Sequence, residues 1–105
     1  MSNLYITEFD QLVITDNGVP WFGKFDADTV QQTPIAIGGT SEPSQPFAMT
    51  TKFVRVIADA TCSIAYTPPG QATEAATANG MLLYAGVPEY FGVDPKGVLS
   101  VISNS

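Results

Sequence analysis

The sequence predicts an all-β fold. Residues 1–105 are read as one domain, an antiparallel β-sandwich of jelly-roll-like kind or a small β-barrel. Three observations predict it. Short runs of β-branched and aromatic residues recur along the chain, bounded by Gly, Pro, Asn or Asp. No helical periodicity alternates with these runs, which argues against a parallel α/β sheet. The middle of the chain, residues 52–66 (KFVRVIADATCSIAY), reads as two strands joined by a tight connection.

That middle stretch is expected to be a β-hairpin. A three-residue loop at Asp59, Ala60 and Thr61 puts Val54, Val56, Ala58, Cys62, Ile64 and Tyr66 on one apolar face. Arg55 and Ser63 then go to the other face. A two-residue loop would set Arg55 beside Ile64 instead. Slipping by one residue flips every side chain, so the apolar pattern selects the three-residue loop.

The flanking elements follow in order. Residues 4–9 (LYITEF) and 12–14 (LVI) are short strand-like runs, and Asn17-Gly18 is a tight-turn signal. Residues 1–15 are a candidate extended arm. Residues 24–29 are polar and read as loop. Residues 31–37 (QQTPIAI) form a strand in which Pro34, lacking a donor, belongs at an edge or a bulge. Residues 40–46 (TSEPSQP) read as extended loop. The alanine- and threonine-rich 71–79 has no large apolar stripe and is too short to be helical alone, so it reads as loop or at most one helical turn. Residues 81–84 (MLLY), 88–93 (PEYFGV) and 98–102 (VLSVI) are strands, the last two separated by the turn residues Asp94-Pro95-Lys96-Gly97.

Composition narrows the function. Net charge is −6 and the basic residues Lys24, Lys52, Arg55 and Lys96 are scattered, which argues against nucleic acid and anionic membrane as partners. No run approaches the roughly 18 apolar residues of a membrane-spanning helix. The opening residues lack the basic-then-apolar pattern of a signal peptide. Charged residues are 13% of the chain while 45% are hydrophobic. An ordinary soluble domain is about 25% charged. So neutral a surface predicts a homo-oligomer or a component of a larger assembly. The opening apolar residues Leu4, Tyr5, Ile6 and Phe9, together with Trp21 and Phe22, are the candidate contact residues.

Catalytic chemistry has little to build on. The chain has no histidine, so Ser-His and Cys-His pairs are excluded. Cys62, the single cysteine, falls on the apolar face and reads as a small buried hydrophobe. Asp26 and Asp28 lack the further ligands of a calcium loop and read as solvated loop. Glu89 and Asp94 are an isolated acidic pair with no second feature of a glycosidase. No catalytic residue, metal ligand or cofactor is expected. Trp21, Tyr90 and Phe91 leave a sugar-stacking platform as an alternative, and with it a carbohydrate-binding role.

From Thr51 onward the sequence resembles a family of small tailed-bacteriophage virion proteins. The resemblance lies in TKFVRVIADATCSIAY, in the loop ending ATANGMLL, and in AGVPEYFGVDPKGVLSVI. LYITEFDQL and PIAIG are similar to the family's opening part, less distinctly. The resemblance implies a β-sandwich, often trimeric, that decorates or cements the outer capsid surface by binding the major capsid protein. It implies no catalytic residues. A tail or head–tail connector component is the neighbouring alternative.

Overall fold

The computed structural model describes residues 2–14, 20–23 and 26–104, with backbone alone for 12–14 and 20–23. Asn17-Gly18 and Lys24 lie outside the described residues, as do the side chains of Trp21 and Phe22. The strands are β1 (Ser2–Phe9), β2 (Leu12–Ile14), β3 (Pro20–Gly23), β4 (Val30–Gln31), β5 (Ile35–Ile37), β6 (Glu42–Pro43), β7 (Phe53–Ala58), β8 (Cys62–Thr67), β9 (Met81–Leu83), β10 (Glu89–Gly92) and β11 (Val98–Ser103). No helix occurs among the described residues.

Two antiparallel sheets face each other across one core. The first runs β10, β7, β1, with β4 and β5 both on the far side of β1. The second runs β6, β11, β8, β9, and among the described residues β2 pairs only with β3. Strands consecutive in the chain (β5 and β6, β7 and β8, β9 and β10) hold matching lateral places in opposite sheets, and β1 and β11 complete the set. This is jelly-roll-like order, in which neighbouring strands are linked across the sandwich rather than within a sheet. The core joins Leu4, Ile6, Val54 and Val56 of the first sheet to Cys62, Ile64, Leu99 and Val101 of the second, with Phe47 among them.

The expected hairpin is therefore an arch. β7 pairs with β1 and β10, and β8 with β11 and β9, so the two strands do not pair with each other. The three-residue loop is at the expected place. Asp59 ties it to β1, accepting from the Asn3 N–H at 2.7 Å and donating its own N–H to the Asn3 carbonyl at 3.1 Å. The inward set also stands: Val54, Val56, Ala58, Cys62 and Ile64 are buried, with Tyr66 packed against them. A hairpin and an arch present the same alternation, because both aim one pleat face of each strand at the same core. β7 carries apolar residues on both faces, and that suits a strand flanked on both sides.

β1 is an interior strand, which overturns the arm reading for residues 2–9. It pairs along its length with β7 on one side and with β4 and β5 on the other. Leu4 and Ile6 are fully buried and Phe9 is 2% exposed, so three of the proposed contact residues are core within the chain itself. Pro34 falls in the break between β4 and β5, where a missing donor costs no ladder bond.

The continuation of that alternation brings Glu8 inward after Leu4 and Ile6. Its carboxylate accepts from Gln32 Nε2 at 3.0 Å, from the Ala48 N–H at 2.8 Å and from Thr51 Oγ1 at 2.7 Å. A buried carboxylate is tolerated only when such donors replace water. Glu8 thus ties the segment 44–51 to β1, and that segment carries Phe47 into the core.

The outer face of the second sheet is largely covered, with Leu82 of β9 left 39% exposed. Ser63, Thr67 and Ser100 point outward from it yet are nearly fully buried. The chain between β8 and β9 crosses there. The Glu74 N–H donates to Thr67 Oγ1, and the Ala76 N–H to Ser41 Oγ, both at 2.8 Å. Asn104 Nδ2 reaches both Ser63 Oγ and the Ala78 carbonyl. Small outward side chains let this segment lie close, and Gly80 approaches the Ile64 carbonyl so nearly that a Cβ would stand 2.7 Å from it.

Candidate functional site, an apolar edge

With one outer face largely covered, the remaining exposed apolar surface is concentrated. Among the described residues, the exposed large hydrophobics are Tyr5, Met49, Met81, Leu82, Tyr84, Val87 and Tyr90. All but Met49 belong to β9, β10, the link between them, or the adjoining outer face of the first sheet. This is the side where both sheets end, at β9 and at β10. On the opposite side the sheets meet, with the Ser103 N–H donating to the Gly38 carbonyl at 2.8 Å.

Local chemistry explains the arrangement. β9 is Met81-Leu82-Leu83, and only Leu83 is taken into the core. Gly86 has φ +77, a left-handed value that glycine adopts without strain, and its N–H donates to the Ala58 carbonyl at 2.8 Å. The link between β9 and β10 is thereby held against the end of β7, leaving Tyr84 64% and Val87 45% exposed. A hollow of about 220 Å3 lined by Tyr5, Ile57, Ala58, Asp59 and Gly86 joins the link to the outer face of the first sheet. There Tyr5 stands opposite Ile57 and Tyr90 opposite Arg55, each pair sharing a face.

Edge strands expose unpaired N–H and C=O groups, and proteins usually blunt them with charge, proline or shortness. β9 and β10 are short, but Glu89 is their only charged residue. At roughly 200 Å2 per aromatic side chain, the fractional exposures amount to on the order of 500 Å2 of apolar side-chain surface. It is spread around the edge, with Leu82 on the outer face of the second sheet and Tyr5 and Tyr90 on that of the first. It also exceeds half of the ~800 Å2 that one partner gives to a standard interface.

Of the residues proposed from sequence whose side chains are described, the structure brings Tyr5, a candidate contact residue, and Tyr90, a candidate stacking residue, to this edge. Tyr90 and Phe91, read as one stacking platform, are successive strand residues and face opposite ways. Tyr90 stands beside Arg55 on the outer face, while Phe91 packs against the core. The sequence signal for the edge was present in residues 81–87 (MLLYAGV), which carry no charge.

The remaining chemical candidates stay apart from it. Cys62 is fully buried, and burial pushes its thiol pKa above the ordinary value. Asp94 is taken up by Tyr66, whose hydroxyl donates to Asp94 Oδ2 at 3.4 Å and accepts from the Asp94 N–H at 3.0 Å. Asp10, Asp26 and Asp28 have carboxylate oxygens within 4.8 Å of one another. Asp26 there accepts from the Asp28 N–H at 2.9 Å and from Gln11 Nε2 at 3.1 Å, so it organises its own turn. Desolvation raises the Asp10 carboxyl above its ordinary range, followed by the hydrogen bond and charge of Asp26.

Comparison with protein-family models, with curated proteins and with solved structures finds no match for this chain.

Proposed function

We propose that this protein is a non-enzymatic structural component of a bacteriophage particle, a decoration or cement protein that docks through its β9–β10 edge. The observation that carries the proposal is the collection of Tyr5, Met81, Leu82, Tyr84, Val87 and Tyr90 on one side of the sandwich. Such an edge suits contact with a partner protein better than it suits catalysis. The family resemblance of residues 51–102 supplies the setting: the outer capsid surface, with the major capsid protein as partner and a trimer as the favoured state.

In this reading the added contacts exist only in the assembled shell, and they stabilise it by mass action. A homo-oligomer would match a capsid symmetry axis. The test is to mix purified chain with capsids lacking it and to locate it by cryo-electron microscopy. Hundreds of copies on the outer shell are expected. A dozen or fewer at the vertex or tail would shift the role to a tail or connector component, and no binding would refute the virion reading.

A further inference from the structure

A half-open pocket of about 170 Å3 lies between the sheets, under the strands that form the apolar edge, lined by Gly92 and the side chains of Ile64, Tyr66, Met81, Phe91, Val93 and Leu99. Its walls come from both sheets: Phe91 and Val93 from β10 and the residue following it, Ile64 and Tyr66 from β8, Met81 from β9 and Leu99 from β11. The one polar side-chain group in the lining is the Tyr66 hydroxyl, and it already bonds with Asp94 both ways. Water in the pocket finds no free side-chain partner among the described residues, so an apolar molecule displaces it at little cost. Enclosed apolar cavities of about 150 Å3 take benzene, and this pocket has a similar volume and an apolar lining but is open to solvent.

We propose that this cavity is a binding site for a free, uncharged apolar molecule of about benzene size. Volume sets the size and the lining sets the polarity. Charge sets the third condition: the Asp94 carboxylate stands at the Tyr66 end, in a chain of net charge −6, so an anionic ring is repelled. Met81, 56% exposed, stands at the mouth, and its flexible thioether can yield to admit a ligand. The site does not depend on the virion reading, and the isolated chain should bind.

The experiment is a methyl-resolved NMR titration of the purified chain with benzene, with benzoate as the charged counterpart. Benzene should shift the Ile64, Val93 and Leu99 methyl signals saturably, and benzoate should bind at least tenfold more weakly. Val93→Phe, which fills the cavity, and Met81→Trp, which covers its mouth on the exposed side, should each reduce benzene binding at least tenfold. Tyr66→Phe should keep the affinity within about threefold, because the hydroxyl serves Asp94 rather than the ligand. The proposal fails if benzene gives no saturable shift, if the folded Met81→Trp variant binds as the parent does, or if benzoate binds equally.

Discussion

Removing the Glu8 carboxylate should loosen the segment that carries Phe47. In Glu8→Ala the Gln32 amide stays satisfied, because its Nε2 also reaches the Gln45 carbonyl at 3.1 Å and its Oε1 accepts from the Gln45 N–H at 3.1 Å. The Ala48 N–H and the Thr51 hydroxyl are left without that acceptor. The Thr51 hydroxyl is buried and the Ala48 N–H part-buried, and a donor so stranded costs about 1–3 kcal/mol. The expected loss is therefore about 2–6 kcal/mol, a large part of the roughly 5–15 kcal/mol that holds a domain together. Glu8→Gln keeps one acceptor oxygen for Ala48 and Thr51 and turns its own amide against that of Gln32. Its loss should be nearer 1 kcal/mol. Urea unfolding followed by tryptophan fluorescence and far-ultraviolet circular dichroism measures both. Parent, Gln and Ala should fall in that order of midpoint with similar denaturant slopes. A Glu8→Ala midpoint equal to that of the parent, or a Gln variant as damaged as the Ala variant, would refute the reasoning.

Other outcomes follow from the same structure. Burial raises the Cys62 thiol, so the folded chain favours the neutral form. The stability it contributes is complete below the unfolded thiol's pKa and is lost as pH rises toward the raised folded value, so Cys62→Ala should flatten the alkaline limb of a stability–pH curve. Labelling of native Cys62 by a thiol reagent should be negligible until the chain unfolds. Lys96 sits at φ 67, in the turn closed by the Gly97 N–H on the Asp94 carbonyl at 3.1 Å. Lys96→Gly removes the side-chain penalty of that region and should stabilise by about 0.5–1 kcal/mol, read as a higher melting temperature. Gly80→Ala sets a Cβ 2.7 Å from a backbone carbonyl that cannot swing away, and should destabilise by about 1–3 kcal/mol in the same assay.

Much of the fold was legible because strands announce themselves locally. The runs around Leu4, Ile35, Val54, Ile64, Met81, Phe91 and Leu99 became strands, and Pro34 marked a true break. The alternation from Val54 to Tyr66 gave the inward face, but it could not tell arch from hairpin, since pairing partners are set by which sheet each strand joins. The same alternation, followed through Leu4 and Ile6, would have flagged Glu8 as a charge aimed at the core. Apolar character alone could not tell core from surface. Leu4, Ile6 and Phe9 are hydrophobic because they are core. Exposure at the edge arises only when β9 and β10 close the sandwich and leave Tyr84 and Val87 outside. Tyr90 and Phe91 are neighbours in sequence and opposites in space for the simplest reason: a strand alternates.

The most direct test of the β9–β10 edge is capsid co-sedimentation of a Tyr84→Asp/Val87→Asp double variant beside the parent chain. Both residues are exposed, so the variant should unfold within about 1 kcal/mol of the parent, as surface substitutions do. A folded variant that loses at least tenfold in capsid binding is the predicted result. A folded variant that pellets with capsids as the parent does would contradict the edge as the docking surface.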